Sequence, residues 1–361
     1  MIYRSLLRPL LFRLPAETAH ELALHSLPFL RTIERVFPGK SSISPAGTLR
    51  RFGLEFRNPI GLAAGFDKNG IAVDHLAAFG FSFIEVGTVT NEPQPGNPKP
   101  RIFRMPRDRA LINRLGFNNR GAAQVAENLK RRPLDCVIGV NIGKSRSVSV
   151  ENAIPDYLAS LEAIHKVADY VAINVSSPNT PQLRELQRPE LLEDLLRALQ
   201  QRNADLAGDC SPQPLLLKIA PDLTEKEIES IVEVAMRLDI AGVIATNTTV
   251  NREGLKTSRA DVVKCGQGGL SGEPLQQRSN EVITLIHRLT RGKLPIIGVG
   301  GVFTAEDAWE KICAGASLVQ LYTGFIYEGP GVAFRINEGL TKIVKREGFQ
   351  SLDEAVGSGV K

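Results

Sequence analysis

From about residue 59 onward the chain alternates between two hydrophobic patterns. Short apolar runs rich in Ile, Val and Leu occur at 59–63, 81–86, 137–142, 170–175, 215–219, 242–245, 295–299 and 318–321. Between them lie longer stretches whose apolar positions recur at helical spacing, for example 154–167, 189–206, 225–238 and 304–314. Runs without polar alternation belong to strands buried on both faces, which is the habit of parallel sheets covered by helices. Eight such units in strict alternation predict an α/β fold, a closed (β/α)8 TIM barrel. The competing architecture is an open doubly wound sheet, but no GxGxxG follows the first run.

The first 45 residues follow another pattern. Ile2, Leu6, Leu7, Leu10 and Leu11 are interleaved with Arg4, Arg8 and Arg13. Pro15 then opens a second helix with Leu22, Leu27 and Leu30 along it. This divides the chain into a small N-terminal helical extension, 1–45, and a barrel domain, 46–361. Arg8 and Pro9 interrupt the apolar run, so neither a transmembrane span nor a signal-peptide core is expected.

Charge sharpens the division. The formal net charge is +5, yet residues 1–50 hold seven basic against three acidic side chains, leaving only +1 for the other 311 residues. A nucleic-acid-binding face spread over the barrel is therefore not expected. A basic amphipathic helix pair suits an anionic membrane surface. Two other readings stay open on pattern alone: a helical cap packed on the barrel, and an organellar targeting peptide in the Arg-rich, acid-free first sixteen residues.

Composition narrows the chemistry. A hydrophobic fraction of 43% with 23% charged residues is that of a folded soluble protein. Cys136, Cys210, Cys265 and Cys313 form no CxxC pair, and the five histidines show no ligand spacing. No disulfide framework, zinc site or iron–sulfur site is indicated, and a reducing cytosol fits.

In a barrel the chemistry lies at the C-terminal ends of the strands. Here those ends offer Ala64, Gly65 and Lys68; Thr88; Asn141; Asn174 and Ser177; Lys218; Thr246, Asn247 and Thr248; Gly300 and Gly301; Tyr322, Thr323 and Gly324. The fourth end, running into SSPNTPQ, presents donors and acceptors but no fixed charge, which suits a flat, amide-rich ligand better than a metal. Glycines after the seventh and eighth strands stand where barrels commonly bind phosphate through backbone N–H groups. Lys218 is the sole charge in LLLKIAP. It requires an anionic partner: either a flavin ring that turns negative on reduction, or a carboxylate elsewhere in the core.

These residues fall within longer motifs: GLAAGFDKNG at 61–70, EVGTVTNEPQPGNPKPRIFR at 85–104, INRLGFNN at 112–119, VNIGKS at 140–145, AINVSSPNTPQLRELQ at 172–187, KIAPDL at 218–223, VIATNTT at 243–249, GGLSG at 268–272 and IIGVGGV at 296–302. Over essentially its whole length the chain resembles the class 2, quinone-dependent dihydroorotate dehydrogenases. The resemblance implies oxidation of dihydroorotate to orotate in pyrimidine biosynthesis. It implies FMN held by Ala64, Gly65, Thr88, Asn141, Asn174, Lys218, Thr246, Gly272, Gly301, Tyr322 and Thr323. Substrate contacts are implied for Lys68, Asn113, Arg114, Leu115, Gly116, Phe117, Asn174, Asn179, Asn247 and Thr248. Ser177 matches the family's base, which takes a proton from C5 while a hydride leaves C6 for the flavin, with Thr180 and a water near Phe117 as relay. Class 1 members carry a cysteine at that position.

The resemblance also implies reoxidation by a membrane quinone at a site lined by His20 and Arg104. It further implies a peripheral place on the cytoplasmic side of the cell membrane, as in the bacterial form, with no obligate protein partner indicated. The alternatives are another FMN barrel reductase fed by NAD(P)H, for which no nicotinamide route or cluster cysteines are visible, and a non-catalytic membrane scaffold.

Overall fold

The computed structural model describes residues 2–27, 48–133 and 135–360. The chain enters through a hairpin of β1 (Leu49–Arg51) and β2 (Leu54–Phe56). Then come β3 (Ile60–Leu62), β4 (Phe83–Val89), β5 (Ile102–Met105), β6 (Ala110–Asn113), β7 (Val137–Ile142), β8 (Tyr170–Asn174), β9 (Leu215–Ile219), β10 (Gly242–Ala245), β11 (Gly269–Gly272), β12 (Ile296–Val299) and β13 (Leu318–Leu321). Eight of these close into a parallel barrel in the order β3-β4-β7-β8-β9-β10-β12-β13, with β13 returning to β3. They are the eight apolar runs of the sequence, shifted at some ends by one to three residues. Every residue of β3, β4, β8, β9, β10, β12 and β13 is buried, which explains why none alternates.

Large aromatics fill the barrel where small residues make room. A Cβ on Gly61 would lie 2.4 Å from the Phe83 ring, and one on Gly139 would lie 2.0 Å from the Tyr170 ring. Phe56 of the entry hairpin packs edge-on against Phe83 at 5.4 Å. The helices 225–237 and 305–313 start at capping boxes, Thr224 with Glu227 and Thr304 with Asp307.

Two features depart from the sequence pattern. The connections after β4 and after β10 do not run as loops throughout. They contribute β5, β6 and β11 to a three-stranded antiparallel sheet, with Gly269 opposite Asn113 and Gly272 opposite Ala110. Strands of four residues are too short to show a hydrophobic period, and β11 pairs with β6 across more than 150 positions.

The second departure concerns the extension. It forms a π-helical turn Tyr3–Leu7, a short helix Arg8–Leu11 and the helix Ala16–Ser26 that opens after Pro15. Leu30 and the division at residue 45 lie outside the described residues. The basic side chains Arg4 and Arg8 turn toward the barrel: Arg4 pairs with the buried Glu328, and Arg8 donates to the Tyr327 carbonyl at 3.1 Å. Tyr3 donates to the Ile326 carbonyl at 2.6 Å and its ring occupies space that a side chain at 329 would fill, so Gly329 is required. The apolar side chains face outward instead: Ile2, Leu6, Leu7 and Leu10 remain 67, 62, 50 and 59% exposed. Among the described residues no helix is long and apolar enough to cross a membrane.

Candidate active site

A cleft at the C-terminal ends of the barrel strands, roofed by β5, β6 and β11, encloses about 1060 Å³ of free space with its open mouth included. Its walls gather Ala64, Gly65 and Lys68 after β3, Thr88 within β4, and Asn174, Ser177 and Asn179 at the end of β8. Lys218, Thr246, Asn247 and Thr248 come from β9 and the loop after β10. Gly300, Gly301, Tyr322, Thr323 and Gly324 follow β12 and β13, while Asn113, Leu115, Gly116, Phe117 and Gly272 come from the roof and its flanks.

Local devices hold these groups. Asp67, buried, accepts the backbone N–H groups of Asn69, Ile71 and Ala72 at 3.2, 3.1 and 2.7 Å and so bends the loop that carries Lys68. Asn119 does the same for Phe117, donating to its carbonyl at 2.8 Å and to Thr90 Oγ1 at 2.8 Å, and thereby holds Phe117 in a left-handed conformation at φ 55°. Arg184 clamps three strand ends together. It donates to the Ser176 and Thr248 carbonyls at 3.0 and 3.1 Å and pairs with Asp222 at 2.8 Å, so the turn at Leu183–Gln187 is tied down.

The polar lining is mostly neutral. Asn179 donates to Asn113 Oδ1 at 3.2 Å, and Asn247 donates to Asn174 Oδ1 at 3.2 Å and to Ser176 Oγ at 2.9 Å. Ser177 is buried and its Oγ accepts the Asn179 N–H at 3.2 Å. Thr180 Oγ1, Thr246 Oγ1 and Gln320 Oε1 are buried without a hydrogen-bond partner. Of these, Thr246 and Gln320 line the cleft, where a ligand could satisfy them, while Thr180 lies behind its wall.

Two lysines bring charge. Burial pulls Lys68 down to about 8, against the raising influence of Glu17. Lys218 Nζ lies 3.0 Å from Oε1 of Glu85, a carboxylate fully buried in β4. Of the two partners left open for Lys218, the core therefore supplies the carboxylate, while Lys218 also lines the cleft. Glu85 escaped the sequence reading although it carries the same signal as Lys218, a single charge inside an apolar run. Ile102, Leu111 and Ser271 of the roof also line the cleft and were missed with their strands.

Some expected residues stand apart from the cleft. Asn141 is fully buried and does not line it, touching Thr88 and Asn174 from behind. Arg114 turns away: its guanidinium donates to the Cys265 and Pro100 carbonyls and stacks 4.7 Å from the Phe103 ring. It fastens the 250–268 segment rather than facing the lining.

A family model described as dihydroorotate dehydrogenase matches residues 48–344. The chain belongs to the dihydroorotate dehydrogenase family. Among its relatives, a protein of Roseiflexus sp. (strain RS-1) named dihydroorotate dehydrogenase (quinone) is 50% identical, with 98% of this chain and 97% of that one aligned. A protein of the same name from Acaryochloris marina is 47% identical over 99% of both chains. The solved structure of the Eimeria tenella enzyme in complex with ferulenol superposes with a TM-score of 0.85 at 37% identity, covering 95% of each chain.

In this family member the N-terminal extension abuts the cleft. The His20 ring packs edge-on against Phe66 at 4.8 Å, and Phe66 in turn contacts Tyr322 at 5.9 Å. Burial, assisted by the Lys68 charge, pulls His20 down to about 3, so its ring is neutral at physiological pH. Arg104 donates to the Leu14 carbonyl at 2.7 Å and lies 4.6 Å over the Phe12 ring. Arg101, almost enclosed, pairs with Glu17 at 2.6 Å and ties the Ala16–Ser26 helix to the roof.

Proposed function

We propose that this protein oxidises dihydroorotate to orotate with FMN as its cofactor and returns the electrons to a membrane quinone. What supports this most is that Ser177, Lys68 and the asparagines at 113, 174, 179 and 247 share one roofed cleft in a chain of this family. Dihydroorotate carries a carboxylate and a ureide edge. One ammonium and a ring of amides, able both to donate and to accept, match that pattern almost group for group.

The remaining lining fits FMN. Ala64, Gly65, Thr88, Lys218, Thr246 and Gly272 offer a flat, mixed polar wall, and Thr246 Oγ1 and Gln320 Oε1 await partners there. Gly301 lets backbone approach closely, and Tyr322 and Thr323 bring the first N–H groups of the 323–328 helix toward a phosphate. When bound, FMN supplies the acceptor for the two electrons and hydrogen leaving the substrate.

The chain's own groups do the rest. Lys68 holds the carboxylate, and the amides of Asn113, Asn179 and Asn247, with Thr248, hold the ring in one orientation. Ser177 Oγ removes the proton from C5. A hydroxyl is a weak base at neutral pH and must pass its own proton on as it takes one; Thr180, whose buried Oγ1 has no partner within the protein, and a water beside Phe117 would carry that proton away. The roof of β5, β6 and β11 excludes water from the reacting carbon. His20, Phe66 and Arg104 line the quinone approach beneath the extension, whose exposed leucines rest in the lipid on the cytoplasmic side of the cell membrane.

The test is a pair of half-reactions on the purified protein. Dihydroorotate under anaerobic conditions should bleach a bound flavin, and a quinone, but not NAD+, should restore it. A colourless protein that binds no flavin, or reoxidation by NAD+ alone, would overturn this reading.

A further inference from the structure

Beneath the cleft, the orientation of the floor's amides leads back to a single carboxylate. Glu85 of β4 is fully buried and does not line the cleft. Its Oε1 accepts from Lys218 Nζ at 3.0 Å and Asn141 Nδ2 at 2.7 Å, and its Oε2 accepts from Gln320 Nε2 at 2.8 Å and the Tyr170 hydroxyl at 3.4 Å. Four donors on two oxygens leave a carboxylate that accepts and never donates.

That restriction propagates. Asn141 must turn its NH2 to Glu85, so its Oδ1 faces the opposite way and accepts from Thr88 Oγ1 at 2.5 Å and Asn174 Nδ2 at 3.1 Å. Thr88 has then spent its only proton and accepts from Asn174 Nδ2 at 2.9 Å. Asn174 is left to show its Oδ1 to Asn247 Nδ2 at 3.2 Å and to the Ser176 hydroxyl at 3.0 Å. Each amide is oriented by the one before it, from Glu85 through β7 and β8 to the end of β10. A glutamine at 85 keeps this directing power only while the donor-only Lys218 amine holds its oxygen on the Asn141 side; once Lys218 is replaced as well, the amide satisfies Asn141 in either orientation.

We propose that Glu85 is a positioning residue for this reaction: a buried carboxylate, out of reach of substrate, that sets which face of the cleft donates and which accepts and holds Lys218 as a partly neutralised cation beneath the flavin. The role rests on the FMN and dihydroorotate reading of the cleft. It has two separate signatures. Without Glu85 the Lys218 side chain loses the carboxylate that offsets its field at the flavin, so an anionic reduced flavin gains stability. With Glu85 and Lys218 both replaced, Asn174 and Asn247 also lose their imposed orientation, so the product, which they hold by hydrogen bonds, binds less tightly.

The experiment uses the FMN-loaded full chain with Glu85→Gln, an isosteric change. Anaerobic titration should show the two-electron reduction equilibrium moved at least tenfold toward reduced flavin, a rise of about 30 mV. The orotate Kd, read from the flavin absorbance, is tested with both constraints removed: in Glu85→Gln/Lys218→Met it should be at least tenfold weaker than in Lys218→Met alone. The double variant leaves neither charge unpaired, so this comparison stands even if the lone Lys218 charge prevents Glu85→Gln from folding. A wild-type protein that takes up no FMN would refute the proposed function and the role of Glu85 with it. A wild type that does, beside a Glu85→Gln variant with unaltered potential, refutes the role of Glu85 alone. An unaltered affinity in the double variant refutes it equally.

Discussion

The inward turn of Arg4 and Arg8 makes a quantitative prediction about the membrane. A helix with free arginines would bind anionic lipid through charge and release it in salt. Here Arg4, half exposed, pairs with Glu328 and Arg8 donates to the Tyr327 carbonyl, which leaves Arg13 as an exposed arginine beside the larger apolar surface of Ile2, Leu6, Leu7 and Leu10, exposed at 67, 62, 50 and 59%. Full burial of such a side chain is worth about 1.5–3 kcal/mol, so covering the exposed part contributes roughly 1–2 kcal/mol each. Leu6→Ser/Leu10→Ser should therefore weaken vesicle binding by about 3 kcal/mol, roughly 150-fold. The pair touches solvent rather than the core, so folding and the dihydroorotate half-reaction should be unchanged. Binding is measured by sedimentation with neutral and with anionic vesicles at low and high salt. Wild-type affinity should change less than about threefold between the salt conditions, because burial of leucine is not screened. Turnover with a long-tailed quinone should fall with vesicle binding. A tenfold loss in salt, together with a leucine variant that binds normally, would refute the reasoning and show that charge, not leucine burial, holds the protein on the lipid.

Three further outcomes are expected. Ser177→Ala should retain FMN but slow flavin reduction by dihydroorotate about 10²–10⁴-fold in stopped flow, and Ser177→Cys should recover part of the rate; wild-type reduction in the alanine variant removes Ser177 from the chemistry. Lys68, pulled down to about 8 by burial, is a cation below that pH and loses its charge above it, so the KM for dihydroorotate should climb as pH passes 8. Lys68→Met should abolish that pH dependence while raising KM at pH 7 about 10- to 100-fold. Lys311 is fully buried, donates to Ser279 Oγ and Asn280 Oδ1, and is pulled down to about 7 by burial. Below pH 7 the folded and unfolded chains both hold this proton and burying the charge costs roughly 5 kcal/mol; between pH 7 and 10 the folded chain gives the proton up first, so the cost shrinks as pH rises. Lys311→Met should raise the Tm at pH 7, with the gain shrinking toward pH 10; a lower Tm at pH 7 would contradict it.

Much of the site can be read from the chain because a parallel barrel turns order along the sequence into position in space. Once eight unalternating runs are recognised, the residue after each run must stand on one rim, and Lys68, Thr88, Asn174, Ser177, Lys218 and Asn247 meet there for that reason alone. What the rim residues face required the folded molecule. Glu85 and Lys218 are 133 positions apart and become a pair only because β4 and β9 point side chains into the same barrel interior. Asn113 and Gly272 reach the cleft through a sheet whose strands are too short to show a period and whose pairing is non-local. Arg114 shares a motif with cleft residues yet turns outward, since neighbours in a strand or loop need not share a face. For Arg4, Arg8 and the leucines of the extension, the sequence alone established that charged and apolar side chains alternate. Which of them looks toward the barrel depended on Glu328 and the 326–327 carbonyls standing there to receive them, and hydrophobic periodicity contains no information about a partner more than 300 residues away.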